Sequence, residues 1–578
     1  MKKSKRAVEK AEKAAVRRAG FEIRPWHYAL GLAAALIAVL EAYGPALRGE
    51  FVFDDQYLPF TGQEFLDAPL KAWLGIRPLL MISFWANLHL YGSEPLSFHL
   101  FNVFFHLAAS VLVFLAAKRL LVWAGATGFT QGALAVFAGA LFLLHPVQTE
   151  SVAYVASRSE VLSVLLFHAA FVVFLYRRPE STSWFAATAV LALFGLAVST
   201  KEHAAILPVL LLLTDYYWNP GFSLKGIRRN WRLYALLVIG GALAARMIVR
   251  VLSTADTAGF LLKEFTWYQY FFTQCRAIWV YIRLFFLPYG QTVDYDFAVS
   301  HTVFEHGAIF GLIALAALAV AAFYFRRRYP LASYGYFVFL ILLAPTSSVM
   351  PIADPVAEHR MYLPIIGLIL IVLDFLRRWK TTRATLAATL AGVLCVFGAL
   401  TFQRSKVWAG SLPLWEDAAL KSPRKQRVQF QLGFAYYVAG RCAEALSRYE
   451  TAARLAKSDY RLLVDWGLAY DCLNRRGEAL VKLREAAAID NNAHVNSLIG
   501  FMYIKEGKHQ EAMAALDTAA RIDPGFDTTY VYRGALYASL NDWPKALAEY
   551  QHALKLNRTN DQARLGIARA EHALRSLR

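Results

Sequence analysis

The sequence predicts an all-α membrane protein: a polytopic helix bundle up to about residue 402, then a solenoid of paired helices. Three observations carry this. Apolar runs long enough to cross a hydrocarbon core of about 30 Å at about 1.5 Å per residue recur through the first 402 residues. Basic residues collect between them on one side, and after Ser411 glycine, tyrosine and alanine return with a period of 33 or 34 residues.

Composition sets the class. Of 578 residues 57% are hydrophobic, 14% aromatic and only 18% charged, and mean hydropathy is positive, which excludes an ordinary soluble chain. The net charge of +19 would suggest nucleic acid if it were clustered. Much of it lies in short segments between apolar runs, where it reports topology, so no nucleic-acid partner is expected. Four cysteines in the whole chain exclude a disulfide-dense scaffold.

Taken in order, residues 1–26 form a basic cytoplasmic segment: the first 24 carry nine Lys or Arg against three Glu. No small-residue cleavage site follows, so the next span is expected to remain as an anchor. Residues 27–402 form the membrane domain, with about eleven spans expected at 27–43, 97–117, 131–145, 160–176, 183–199, 203–218, 233–252, 303–325, 332–350, 361–376 and 384–402. Alternating sides from a cytoplasmic start put Lys118, Arg119, Arg177, Arg178, the Lys225 to Arg232 stretch, Arg326 to Arg328 and Arg377 to Arg383 inside. The segment from Lys263 to Pro288 is apolar enough to span, but counting it would reverse that pattern. It is expected as an amphipathic helix on the outer surface. An odd number of spans then leaves the C-terminus outside.

Residues 403–426 connect to the repeats, which occupy 427–578. Gly433, Gly467, Gly500 and Gly534 lie 34, 33 and 34 apart. Three residues after each stands Tyr436, Tyr470, Tyr503 or Tyr537; alanines follow at twelve and nineteen. Small residues at fixed helical positions let paired helices approach closely, and the period is that of the tetratricopeptide repeat. Gly440, Asn474, Gly507 and Asn541, seven after each glycine, suit the left-handed residue that ends helix A. A partial helix pair from Arg558 to Arg578 would cap about four repeats. A concave groove gripping a polypeptide is the expected use. Cys442 opens one helix B and Cys472 closes the next helix A; two unpaired, buried thiols are expected there rather than a disulfide.

The outer loops collect the unusual polar residues. They are Asp54 and Asp55 after span one; His145 to Glu150 and Ser151 to Glu160 after span three; Lys201, Glu202 and His203 after span five; and Glu358, His359, Arg360, Met361 and Tyr362 before span ten. Carboxylates beside a bilayer are costly and mark function. With Pro146 in a first helical turn, Glu150, Tyr154 and Arg158 recur every four residues and are expected on one helix face. Carboxylates supply a base for a hydroxyl acceptor, and cations supply charge for a phosphate leaving group. Structural readings stand beside these: Asp54 or Asp55 capping a helix, Lys201 and Arg360 reaching headgroups, His145 ending a span, and His203 as a satisfied packing residue.

The phrases Phe51-Val52-Phe53-Asp54-Asp55, His145-Pro146 through Glu150 to Arg158-Ser159-Glu160, Lys201-Glu202 and Glu358-His359-Arg360-Met361-Tyr362-Leu363-Pro364, followed by the repeats, resemble the transmembrane and tetratricopeptide-repeat-containing O-mannosyltransferases. The resemblance covers nearly the whole chain after the basic N-terminus. It implies a bundle of the glycosyltransferase-C type that takes a sugar from a polyprenyl-phosphate lipid and delivers it to a polypeptide hydroxyl; the alternatives are transfer to a glycolipid or cell-wall polymer, and a non-catalytic envelope scaffold that recruits partners through its repeats. By this resemblance Asp54 or Asp55 is the general base, and inversion is expected of the single displacement. Arg158, Lys201 and Arg360 bind the donor phosphate. His145, Glu150, Glu160, Glu202, Glu358 and Tyr362 support those groups or bind sugar hydroxyls. No cofactor is required by the motifs; a divalent metal is left open, because two adjacent carboxylates offer fewer oxygens than a hard-metal site usually recruits. His359 departs from the pattern, standing where an apolar residue is expected. The short repeat array points to a bacterial relative, with an undecaprenyl carrier, a sugar that need not be mannose, and a periplasmic active side.

Overall fold

A computed structural model describes residues 25–62, 65, 68–177, 181–254, 259 and 262–576. The basic segment 1–24 and Arg178 lie outside the described residues. Every element among the described residues is helical, and the chain divides into two compact units between Pro413 and Leu414.

In the first unit a helix stands at each of the eleven expected spans. Six are long and apolar enough to cross a membrane: Trp26–Leu47, Pro95–Trp123, Val155–Leu175, Trp231–Val249, Glu305–Tyr324 and Arg383–Val407. Gly128–Leu144 and Pro146–Ala153 make a seventh if their 46° bend falls within one span. Trp184–Val198, Leu207–Trp218, Pro330–Leu343 and Ile365–Leu376 are shorter. Two of these differ from expectation at one end. The helix expected over 332–350 stops at Leu343 and its successor starts only at Ile365, because Pro345, Pro351 and Pro355 interrupt the backbone ladder and Pro364 precedes the new helix. Residues 355–358 and 360–364 of the chain between them are buried.

Close approach holds these helices together. A Cβ on Gly335 would lie 2.5 Å from the Gly367 carbonyl oxygen, and one on Gly367 2.5 Å from the Gly335 carbonyl oxygen. Only glycine lets the two backbones touch, as small residues do at helix crossings in lipid. The segment expected as an amphipathic surface helix is Trp267–Phe286; it buries Tyr270, Thr273, Gln274 and Tyr281 and exposes Trp267 and Phe286.

The loop between the first two apolar helices has more structure than its sequence announced. Short 3-10 turns at Phe53–Tyr57 and Pro59–Thr61 lead to a helix at Pro78–Tyr91 that the apolar pattern did not single out, with Pro78 in its first turn. Phe60, Trp73, Leu80, Phe84 and Phe98 form its core, joined by Val155.

In the second unit the helix pairs are Gln426–Val438 with Cys442–Leu455, Tyr460–Cys472 with Arg476–Ile489, Ala493–Lys505 with His509–Ile522, and Asp527–Ser539 with Trp543–Leu556. Gly440, Asn474, Gly507 and Asn541 all have positive φ, between 59° and 74°, where helix A turns into helix B. The alanines at twelve and nineteen after each repeat glycine, from Ala445 to Ala553, are fully buried. Two expectations are corrected. The cap is a single helix, Asp561–Ser576, among the described residues. Cys442 and Cys472 form a disulfide, with their Cα atoms 6.2 Å apart, because the start of one helix B and the end of the next helix A are neighbours within bridging distance.

Candidate active site

Residues 145–160 are the hub of the polar interior. The expected single helix face does not exist: a 3-10 turn at Pro146–Gln148, a short helix at Thr149–Ala153, an extended Tyr154 (φ −83°, ψ 117°) and a second 3-10 turn at Val155–Ser157 precede the helix Arg158–Leu175. The extended residue breaks the 3.6-residue period. Glu150, Tyr154 and Arg158 therefore aim at three different partners.

Glu150 reaches the segment before Ile365. Its Oε2 accepts the Glu358 main-chain N–H at 3.0 Å, and its Oε1 lies 2.6 Å from His359 Nδ1. The histidine that broke the family pattern is thus the side chain joining two of its motifs. Glu358 itself is fully buried and accepts from Gln291 Nε2 (2.6 Å), the Thr292 N–H (2.7 Å) and the Tyr295 hydroxyl (2.8 Å), with Arg404 3.9 Å away. Burial pushes its carboxyl pKa up.

Tyr154 and its successors meet the loop that follows Leu47, where the two aspartates part company. Phe53 has φ 54°, an uncommon left-handed conformation for an aromatic residue. After this kink Asp54 is exposed, and Asp55 is fully buried. Asp55 accepts three main-chain N–H groups, from Val52 (3.3 Å), Val155 (3.3 Å) and Ala156 (2.6 Å). Burial nevertheless pushes its pKa up to about 8, against those donors. The Asp54 main-chain N–H donates to the Tyr154 hydroxyl at 3.1 Å. Strained backbone of this kind concentrates at functional sites.

Arg158 is fully buried over the Phe84 ring. It donates to Asn102 Oδ1 (2.9 Å), Asn87 Oδ1 (2.8 Å), Phe98 O (2.9 Å) and Ser83 O (3.3 Å). Arg360 points away from the hub, to the Tyr270 hydroxyl and the Pro355 carbonyl, both at 3.0 Å, and to the Asp354 carbonyl. Glu160 pairs with Lys201, and His203 Nε2 stands 3.5 Å from its other oxygen. His203 is not the satisfied packing residue expected, since neither ring nitrogen has a hydrogen-bond partner among the described residues. Glu202 is held by Arg77 in two bonds of 2.8 and 2.9 Å. Burial opposes the Glu202 carboxylate, but the guanidinium outweighs it and keeps its pKa below the usual range.

His145 spends both ring nitrogens on backbone: Nε2 lies 2.9 Å from the Phe285 carbonyl, and Nδ1 accepts from Val147. Tyr362 is buried with its hydroxyl 2.8 Å from His106 Nδ1. Of the expected residues, then, Asp54, Asp55, Glu150, Arg158, Glu160, Lys201 and Glu358 gather on the hub, and Arg360 faces elsewhere. Arg77, His359, Asn87, Asn102 and Tyr295 are further members. Arg77 had one signal in the sequence, a cation immediately before the proline that opens a helix. Among the described residues no group of three or more His, Cys, Asp or Glu side chains converges to hold a metal ion. Asp55 also spends its oxygens on main-chain donors, so the aspartate pair does not fit a metal site.

Fold and hub together define a multi-pass membrane protein with a tetratricopeptide-like C-terminal unit. It is distantly homologous, over most of its length, to protein O-mannosyl-transferases. Identity to human protein O-mannosyl-transferase TMTC3 is 23% over 535 residues, covering 84% of this chain and 58% of the relative. For mouse TMTC3 it is 24%, covering 84% and 57%. Mouse TMTC1 is 32% identical over a shorter stretch of 159 residues, 24% of this chain and 16% of the relative. The chain spans under three fifths of the length of the two TMTC3 proteins. No family profile matches it. Among solved structures, YrrB, a TPR protein with an unusual peptide-binding site, aligns with a TM-score of 0.23 and 22% identity over 30% of this chain and 87% of its own. TTC0263, a thermophilic TPR protein of Thermus thermophilus, aligns with a TM-score of 0.26 and 21% identity over 31% and 95%.

Proposed function

We propose that this chain is a membrane glycosyltransferase of the glycosyltransferase-C type. It moves one sugar from a polyprenyl-phosphate carrier to a Ser or Thr hydroxyl of a polypeptide on the non-cytoplasmic face. The observation that carries the reading is the division of labour between adjacent aspartates. Asp55 is buried and clamps the first loop onto Val155 and Ala156, while Asp54 stands exposed beside Tyr154, where an acceptor can reach it. Asp54 takes the hydroxyl proton as the oxygen attacks the anomeric carbon, and the carrier phosphate leaves from the opposite side with inversion.

The phosphate needs cations that a ligand can reach. Lys201 and Arg77, whose side chains are 17% and 34% exposed, are better suited than Arg158 and Arg360, whose donors serve the protein itself. Arg158 braces the hub, and Glu160 and Glu202 hold Lys201 and Arg77 in position. The Cys442–Cys472 disulfide supports a repeat unit on the oxidising side, since such bonds are rare in the cytosol.

The test is transfer of radiolabelled sugar from polyprenyl-phosphate donors to membrane protein, with wild type and Asp54→Asn at equal expression. Loss of a general base is expected to lower the rate by about 10² to 10⁴-fold. Equal label from both proteins, or none from either across several donors, would move the assignment to a non-catalytic scaffold.

A further inference from the structure

His359 stands in the 3-10 turn Glu358–Met361 with 30% of its side chain exposed, while its partner Glu150 keeps only 6%. Nδ1 lies 2.6 Å from Glu150 Oε1, and the carboxylate is fixed from its other end, where Oε2 accepts the Glu358 N–H at 3.0 Å. An ionised carboxylate only accepts, so Nδ1 carries the ring proton of that bond. Nε2 has no hydrogen-bond partner among the described residues. A buried carboxylate that holds one ring nitrogen and leaves the other open to solvent is the arrangement in which an imidazole moves protons.

The other two histidines of the hub are built differently. His145 spends both nitrogens on the backbone, and His203 makes no hydrogen bond, its Nε2 standing 3.5 Å from Glu160. His359 alone of the three has an orienting carboxylate and an open nitrogen. The charged groups around it are set by the same contacts. Glu358 is engaged by Gln291, Thr292 and Tyr295 with Arg404 3.9 Å away, and Arg360 turns off to Tyr270 and Pro355. Glu160 lies within electrostatic range of the ring and holds the half-buried Lys201, with His203 on its other oxygen. The open imidazole therefore shares its surroundings with a cation that a phosphate can reach.

We infer that His359 is the general acid of the transfer: protonated, its Nε2–H bonds to the phosphate of the lipid carrier and gives up its proton as that phosphate leaves, with Glu150 as the positioning residue. The inference rests on the reading of the chain as a polyprenyl-phosphate glycosyltransferase and assigns a second catalytic group to it. The donor phosphodiester bears one negative charge, and the departing monoester would bear a second. As the bond between the anomeric carbon and the phosphate oxygen breaks, its electron pair stays on that oxygen, and the imidazolium proton turns the phosphate into a singly charged monoester. The acceptor hydroxyl proton goes to Asp54, and exchange of protons with water restores both side chains. Removing the second charge matters beside a bilayer, where a low dielectric makes like charges costly.

The experiment measures binding of farnesyl methyl phosphate to the full chain in detergent, without acceptor, from about pH 5.5 to about pH 8.5, the range in which an imidazole changes charge. This diester keeps a single charge throughout, so a pH dependence belongs to the protein. Wild type is expected to bind about tenfold more weakly at the alkaline end, the worth of one hydrogen bond to a charged group. His359→Gln is expected to bind equally weakly at every pH. Glu150→Gln is expected to move the midpoint of the wild-type curve down by about one pH unit, since the carboxylate favours the imidazolium. A merely structural histidine would give no such shift. Flat binding or no binding by wild type, an undiminished pH dependence in a folded His359→Gln protein, or displacement by an equal concentration of phosphatidylglycerol would overturn the proposal. If His359→Gln misfolds, the wild-type curve and Glu150→Gln decide. Because nothing is transferred in this assay, a failed transfer experiment leaves its result unaffected, and flat binding leaves Asp54 and the transfer reading standing.

Discussion

In the membrane unit several ion pairs join residues distant in sequence, Glu160 with Lys201, Glu150 with His359 and Arg177 with Asp215, beside the local pairing of Asp374 with Arg377 and Arg378. In the repeat unit many are three residues apart on one exposed helical turn, as in Arg441 with Glu444, Arg475 with Glu478 and Lys545 with Asp542. Glycine differs in parallel. Gly335 and Gly367 meet backbone to backbone, whereas Gly500 and Gly534 make room for the side chains of Leu516 and Tyr550. The repeat unit is built by local rules applied four times. The membrane unit relies more on contacts between segments far apart in sequence, so a change there should cost more.

The sharpest comparison is between two glycines. Gly335→Ala drives a methyl into a carbonyl oxygen of a crossing helix and is expected to cost about 3 kcal/mol. Gly500→Ala meets Leu516 Cγ at 2.6 Å, and a rotating side chain should limit the loss to about 1–2 kcal/mol. Unfolding midpoints in detergent check this, and equal losses would break the comparison.

Next in size is the one covalent long-range contact of the repeat unit. Cys442→Ser opens a link between residues 30 apart and is expected to lower stability by about 2–3 kcal/mol. Reductant should lower the wild-type midpoint equally and leave the variant unmoved; a variant that still responds would sink the disulfide assignment.

A smaller, pH-dependent effect belongs to Asp55. Its folded pKa, about 8, lies above the unfolded value of 3.8, so the folded state holds the proton more tightly. That contribution is complete below about pH 4 and is lost as pH rises through about 8. The wild-type midpoint relative to Asp55→Asn should therefore fall between about pH 4 and 8. A rising difference would mean that the three N–H donors, not burial, govern the group. Smallest of all, Arg475→Ala should leave the midpoint unmoved, since an exposed pair three residues apart adds little.

The hub was partly legible in advance. Asp54, Asp55, Glu150, Glu160, Lys201 and Glu358 stood out as carboxylates and cations next to apolar runs. The break at Tyr154 did not, because the four-residue spacing of Glu150, Tyr154 and Arg158 satisfies a helix equally well. Arg77 and His359 were obscure for another reason: their partners, Glu202 and Glu150, lie 125 and 209 residues away. The helix at Pro78–Tyr91 was hidden because its core is completed by residues from other segments, Phe60, Phe98 and Val155.

By itself the sequence determined the helical class, the places of the apolar helices, the repeat register and the left-handed turns at Gly440, Asn474, Gly507 and Asn541. Those features depend on periodicity and on local backbone sterics, which neighbours in sequence express. Tertiary structure alone decided which aspartate is buried, which arginine is spent on the framework, where Glu150 points, and that Cys442 and Cys472 pair. Each of these depends on what distant segments bring within a few ångströms, and no local pattern encodes that.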